Sequence, residues 1–306
     1  MNFLQWTKHE NMKKKTISGF FLALLVITIV IASCLWFGYK LWQGDEVKET
    51  TPVETPAAPP PTSTEKESAL NKFLPLGNPS NAVFNTSSPN NYLMTGEYFS
   101  LSYNRDKGLP NWVAWRLTKN SFGDAGRQND FRPDNRLPDD WARITPNDYT
   151  GSGYDRGHLC PSADRSSSEG ANSSTFLMSN MAPQKHDMNA GPWEKLESYS
   201  RSLARRNNTL YIIAGHYGEK GKIKNKITIP TNFWKIVVVV PNGNQITKET
   251  RIIAVDMPNI DGIEAKNWRD YKTTVRQIEQ KTGFNFLNTL PADVQNSLKS
   301  KVDSRQ

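Results

Sequence analysis

Arg156 and His158 stand two residues apart in the segment Tyr154-Asp155-Arg156-Gly157-His158-Leu159-Cys160-Pro161-Ser162-Ala163-Asp164-Arg165, directly after a turn-rich Gly151-Ser152-Gly153. In extended backbone, residues i and i+2 project from one face. A guanidinium placed there can bind a phosphate while the imidazole, neutral near pH 7, takes a proton from an adjacent water. Gly157 between them lets backbone or substrate approach closely. By itself an Arg-x-His pair is more often a surface or structural feature than a catalytic one.

Downstream residues change that weighting. Asn180, Asn189, Glu197 and Arg201 surround the start of an expected helix, and phosphodiester cleavage needs a hard cation held by oxygen ligands with most of its waters kept. Asn189 would be such a ligand, and its neutrality would leave the ion's charge free for the developing phosphorane and the leaving oxygen. Glu197, about two turns later, can accept hydrogen bonds from the cation's waters. Arg201, four residues further on, can pair with Glu197 or reach phosphate. Without the histidine, Glu197 and Arg201 would read as a solvated helix pair. Pro192 lies between Asn189 and Glu197, so the helix either begins near it or bends there.

Other groups weigh less. His186 with Asp187 lacks the spacing of a zinc site, and Cys160 has no Cys-x-x-Cys partner and reads as core. His216, in Gly215-His216-Tyr217-Gly218, reads as a turn residue, and His9 precedes an apolar segment. The alternating Lys220, Lys222, Lys224 and Lys226 read as a solvated hairpin, with contact to substrate backbone as the lesser alternative.

The elements that must position these residues are of mixed type. Runs of β-branched and aromatic residues bounded by Gly, Pro and Asn predict strands over 98–103, 112–117, 209–214, 233–240 and 251–255. Helical spacing predicts helices over 193–206, 267–282 and 292–302; the first carries Leu196, Tyr199 and Leu203 with Arg and Glu between them. The strands are not each followed by a long helix. That disfavours a repeating βαβ layout and predicts an α+β fold.

The chain has 306 residues, a formal net charge of +8 and a pI near 9.3. About seven of the eight excess positive charges lie beyond residue 64, so the basic character belongs to the presumed folded part. A basic surface concentrates polyanions, and nucleic acid and anionic membrane are its natural partners. With only Cys34 and Cys160 present, no disulfide can form within the globular part of a monomer, and stability must come from a core.

Lys8 and Lys13 to Lys15 precede an uncharged apolar stretch, residues 16–39, long enough to cross a bilayer. Asp45, Glu46 and Glu49 follow it, so the positive-inside rule keeps residues 1–15 cytoplasmic and sends the rest outward, to periplasm or cell surface. Ile31-Ala32-Ser33-Cys34 also has the look of a lipoprotein processing site, but apolar residues continue past Cys34, which favours an uncleaved anchor. Residues 40–72, Pro- and Thr-rich over 50–64, read as an extended stalk. One domain over 73–306 is the simplest remainder.

From about residue 77 to the C-terminus the motifs resemble the DNA/RNA non-specific endonuclease family, the ββα-metal or His-Me finger nucleases. The resemblance lies in Asp155-Arg156-Gly157-His158, in the run Thr175-Phe176-Leu177-Met178-Ser179-Asn180-Met181-Ala182-Pro183-Gln184 before Asn189, and in Arg127-Gln128-Asn129-Asp130-Phe131-Arg132-Pro133-Asp134 upstream. It implies a ββα-metal fold with a central, mainly antiparallel sheet flanked by helices. It also implies His158 as general base, a single Mg²⁺ or Mn²⁺ on Asn189, and waters ordered by Glu197. Arg156 would bind phosphate, and Arg127 would be the second arginine with Arg132 as fallback. Asn180 would be a supporting amide, and Asp155 would tie down the backbone around the histidine.

The expected reaction is in-line attack by water on DNA and RNA, with the cation stabilising the pentacovalent charge and 5′-phosphate products. Contacts to phosphate imply little sequence preference and strong salt dependence. Two rivals stand beside it: a catalytically silent membrane-tethered nucleic-acid receptor, and a zinc-dependent hydrolase needing His186. A homodimer and an inhibitor protein stay open as further partners.

Overall fold

All five predicted strands recur, four of them lengthened, in a computed structural model that describes residues 72–305. They belong to one six-stranded antiparallel sheet, built from β1 (Tyr92–Thr95), β2 (Ser100–Asn104), β3 (Leu109–Leu117), β6 (Asn208–Tyr217), β9 (Asn232–Pro241) and β10 (Arg251–Pro258), in the order β1-β2-β3-β6-β9-β10. A separate antiparallel pair, β4 (Asp155–His158) and β5 (Met181–Gln184), and a small hairpin, β7 (Lys222–Ile223) with β8 (Ile227–Thr228), complete the strands.

Both faces of the large sheet are covered, which is why β9 reads as a near-continuous apolar run rather than an alternating one. Val237 and Val239 enter one core with Val113, Trp115 and Leu117 of β3; Trp234, Ile236, Val238 and Val240 enter the other with Trp112 and Ala114. The first core receives Leu159, Cys160, Met181, Trp193 and Leu196 from the segment that carries the candidate site. The second is closed by Val275 and Ile278 of α3 (Val275–Thr282), Val294 and Leu298 of α4 (Ala292–Ser300), and Phe286. A short α1 (Glu169–Ser174) and a longer α2 (Glu194–Arg205) belong to the site side.

Two expectations need correction, and one strand was not foreseen. The helix expected over 267–282 is two pieces, a 3-10 turn Trp268–Tyr271 and α3, each with its own capping box, Asn267 with Asp270 and Thr274 with Gln277. Between them the chain pairs with the outer edge of β10, through the Val255–Lys272 bridge and the Thr273 N–H donating to Ala254 O at 2.9 Å. Covering an exposed edge outweighs continuing the helix. His216 is not a turn residue: it lies inside β6, 5% exposed, with Nε2 2.8 Å from Pro110 O. β1 was not foreseen, because four residues carry too short a pattern to register.

The expected cytoplasmic segment, membrane span and stalk lie outside the described residues. Among the described residues no helix is long and apolar enough to cross a membrane.

Candidate active site

His158 ends β4 and pairs with Met181 of β5, so the histidine segment is held by ladder hydrogen bonds although 22 residues separate the two strands. Gly157 has a steric reason: a Cβ there would meet the Gln184 side chain at 2.0 Å. The imidazole lies edge-on against Phe131 and Phe176, ring centres 5.6 and 5.0 Å away, and these two phenylalanines pack on each other at 4.9 Å. Its Nε2 is buried with no hydrogen-bond partner among the described residues. Burial, then the charges of Arg127 and Arg156, pull its pKa down to about 3, so the ring is neutral throughout the neutral range.

Both arginines are positioned by the same aromatic pair. The Arg156 guanidinium stacks 4.1 Å above Phe131 and that of Arg127 4.8 Å above Phe176. Arg127 is further fixed by donating to Ser162 Oγ (2.6 Å) and Asn129 Oδ1 (2.8 Å). Arg132 is placed otherwise: it donates to Asp130 Oδ2 at 2.6 Å and to Ser173 O at 3.0 Å, fastening its loop to α1. Of the two alternatives upstream, Arg127 is the one brought to His158.

Asn189 opens a π-helical stretch, Asn189–Trp193, that joins a single helical turn, His186–Met188, to α2. The bend expected near Pro192 is centred on Gly191, with φ −93° and ψ −114°, where a Cβ would stand 2.6 Å from Glu264 Cα. The Asn189 Nδ2 donates to Asp155 Oδ2 at 2.9 Å. A carboxylate only accepts, so this bond fixes which way the amide faces and leaves Oδ1 uncommitted among the described residues. Asp155 therefore ties down a side chain rather than only backbone. The same oxygen lies 2.9 Å from Nδ1 of the exposed His186, whose pKa it raises.

Glu197 is not paired with Arg201. Its Oε1 accepts from Lys235 Nζ of β9 at 2.9 Å, and burial pushes its pKa up while Lys235 opposes the shift. Arg201, 8% exposed, binds Asp164 Oδ1 (3.4 Å) and Glu194 Oε1 (3.1 Å) instead. Asp164 in turn accepts from Trp115 Nε1 at 2.9 Å. The Asn180 amide is spent on backbone, accepting from Cys160 N and donating to Cys160 O and Thr175 O at 3.0, 2.9 and 2.8 Å, which clamps the chain just after the histidine. Cys160 itself is fully buried, as expected of a core residue.

Phe131, Phe176 and Lys235 were not singled out from the sequence. For Lys235 a signal existed, a lone cation in the run Phe233-Trp234-Lys235-Ile236-Val237-Val238. Among the described residues no cluster of three or more His, Cys, Asp or Glu could hold a metal, which leaves the zinc alternative without a ligand set.

This combination of a neutral histidine between two guanidinium groups and an oriented amide oxygen, set on an antiparallel α+β framework, has the attributes of a phosphodiester-cleaving centre. Residues 76–293 match the family model described as DNA/RNA non-specific endonuclease. The chain is 46% identical over 249 residues to a nuclease of Nostoc sp., covering 80% of this chain and 90% of that protein. It is 28% identical over 270 residues to the mitochondrial nuclease of Saccharomyces cerevisiae (82% of each), and 33% identical over 216 residues to mitochondrial endonuclease G of Homo sapiens (65% of this chain, 71% of that one). A chain from the crystal structure of the EndoG/EndoGI complex shares the fold, with a TM-score of 0.62 at 23% identity over 73% of this chain and 93% of that one. The protein belongs to the DNA/RNA non-specific endonuclease family and is an endonuclease.

Proposed function

We propose that the chain hydrolyses phosphodiester bonds of both DNA and RNA, with His158 as general base, Asn189 as ligand of a single Mg²⁺ or Mn²⁺, and 5′-phosphate products. The observation that carries this is the neutral His158 between Arg127 and Arg156, its Nε2 buried without a partner among the described residues. Arg127 and Arg156, stacked on Phe176 and Phe131, bind the scissile phosphate and draw the bond toward the imidazole. His158 then takes the proton of the attacking water, which a neutral ring can do at pH 7. Asn180 acts from behind, holding the backbone at Cys160. Arg201 supports the helix through Asp164 and Glu194 rather than touching substrate, and Arg132 supports a loop.

The residues fit a hard cation. Asn189 Oδ1 is a neutral oxygen whose amide is held from behind by Asp155, and Glu197 lies two turns along the same helical segment to accept bonds from the ion's waters. When bound there, such a cation would supply charge stabilisation for the phosphorane and the leaving oxygen. The apolar stretch at 16–39 supports a membrane tether with the catalytic domain outside the cytoplasm.

The test is nicking of supercoiled plasmid and degradation of RNA by the full chain with Mg²⁺, with Mn²⁺ and with EDTA, beside His158→Ala. Cutting of both substrates that needs the metal and is lost in the variant is expected. Tight binding of DNA without cleavage under either cation would overturn the assignment of His158 and Asn189.

A further inference from the structure

Lys235 is the only charged residue between Phe233 and Val240, on a strand covered on both faces, and it is 1% exposed. An ammonium group taken out of water is retained only where fixed partners replace its hydration. Here Nζ has one anion, Glu197 Oε1 at 2.9 Å, and two aromatic faces, Trp193 at 3.9 Å and Trp115 at 5.8 Å from the ring centres. Trp193 closes the π-helical stretch that begins at Asn189, and its Nε1 donates to His158 O at 3.4 Å. The lysine thus sits behind both halves of the site.

Four charged groups act on Glu197 from the elements around it. Asp164, in the turn after β4, disfavours the carboxylate; Lys235 of β9 and Arg201 of α2 favour it; Arg127, from the loop before Phe131, interacts with it attractively. Arg201 is already bound to Asp164 and Glu194, so Lys235 is the cation hydrogen-bonded to Glu197. That bond occupies Oε1, and no described residue donates to Oε2.

We propose that Lys235 is a positioning residue for the cleavage reaction: from the sheet it holds Glu197 ionised and fixes Oε1, so that Oε2 alone is offered to the waters of the site. Glu197 then acts as an aimed acceptor rather than a buried neutral acid. The inference rests on the reading of the site given above.

The experiment compares the full chain with Lys235→Met, Glu197→Gln and the double variant, in Mn²⁺, reading kcat, KM and the pH profile of plasmid cleavage. Glu197→Gln and Lys235→Met each lose about 100-fold in kcat, the scale of a lost electrostatic group, with KM changed far less. Lys235→Met regains rate as pH rises, because the unassisted carboxyl then ionises, whereas Glu197→Gln does not. The double variant is no slower than Glu197→Gln, since neutralising Glu197 removes what Lys235 acts on.

A Lys235→Met enzyme with wild-type kcat and pH profile, beside an impaired Glu197→Gln, overturns the inference and leaves the site reading intact. A double variant much slower than Glu197→Gln also overturns it, because Lys235 would then act through packing. If Lys235→Met fails to fold, that last comparison decides, as the double variant leaves no unpaired buried charge. Glu197→Gln at wild-type rate would overturn the role of Glu197 itself.

Discussion

His158 works in a setting that disfavours its own protonation. The folded chain holds its pKa near 3, against an ordinary value of 6.5, so the imidazole proposed as general base is in its proton-accepting form from weakly acid pH upward. The acid limb of kcat/KM, which reports the free enzyme, should therefore lie well below pH 6. A bound phosphate neutralises Arg127 and Arg156 and adds negative charge beside the ring, which raises the pKa, so the acid limb of kcat should stand at higher pH than that of kcat/KM. Removing one of the depressing cations, as in Arg156→Ala, should move the kcat/KM limb upward. Profiles taken from pH 4 to 8 check this, and a wild-type kcat/KM limb near 6.5 would contradict it. Asp155 offers a second test at this scale. Asp155→Ala releases the Asn189 amide, and if Asn189 holds the cation as proposed, support of this kind behind a metal ligand is typically worth about 10- to 100-fold in affinity or activity. We expect a Mn²⁺ requirement raised by that factor with the circular dichroism unchanged; an unaltered Mn²⁺ dependence would show that Asp155 only shapes the loop.

The helical segment from His186 to Arg205 positions Asn189 and Glu197, and its irregularity is built in at Gly191. Any Cβ there meets the backbone of Glu264 at 2.6 to 2.7 Å, and backbone cannot swing away as a flexible side chain can. Gly191→Ala should cost about 1–3 kcal/mol by overpacking and also lower kcat by shifting Asn189; a urea midpoint and rate equal to wild type would refute the constraint. Elements of this kind mark the limit of what the sequence discloses. Five of the six strands of the large sheet were legible because β-branched and aromatic residues recur in runs bounded by Gly, Pro and Asn, and Arg156, His158, Asn189 and Glu197 could be singled out as candidates because their chemical types and order fit phosphodiester cleavage. The β4–β5 pair was legible only as extended backbone at His158, since Met181-Ala182-Pro183-Gln184 carries no strand pattern and its partner is 22 residues away. Pairings such as Asp155 with Asn189, Lys235 with Glu197, and Arg201 with Asp164 are long-range. Spacing along one helix suggested the Glu197–Arg201 pair instead, because local geometry is all that a sequence displays directly.

At the scale of the whole molecule, the C-terminal tail is bound back to the edge of the sheet and, through it, to α2, the helix that carries Glu197. Asp303, 8% exposed, accepts from Arg251 Nε and a terminal guanidinium nitrogen of the same residue at 2.9 and 2.8 Å, a bidentate geometry, with Lys272 Nζ 3.8 Å away. Arg251 also donates to the Tyr199 hydroxyl at 2.9 Å, and the Tyr199 ring packs on Trp268 with centres 5.2 Å apart. Strand β10, helix α2, the 3-10 turn at Trp268 and the chain end thus share one polar node, which meets α2 at Tyr199, two residues after Glu197 and on roughly the opposite side of the helix. Removing the anion from such a node leaves Arg251 buried without its charge partner, a change that typically costs about 3–5 kcal/mol. In a domain of this size that corresponds to a melting temperature lower by roughly 10 °C. Because the node touches none of His158, Arg127, Arg156 or Asn189, Asp303→Ala should keep kcat at 25 °C within about twofold of wild type, a surface-like effect on the rate despite the loss of stability. Thermal unfolding followed by circular dichroism, beside plasmid cleavage at 25 °C, separates the two quantities. An unchanged melting temperature would show that the tail is held by packing alone, and a lost rate with the fold intact would show that the node reaches the site through α2.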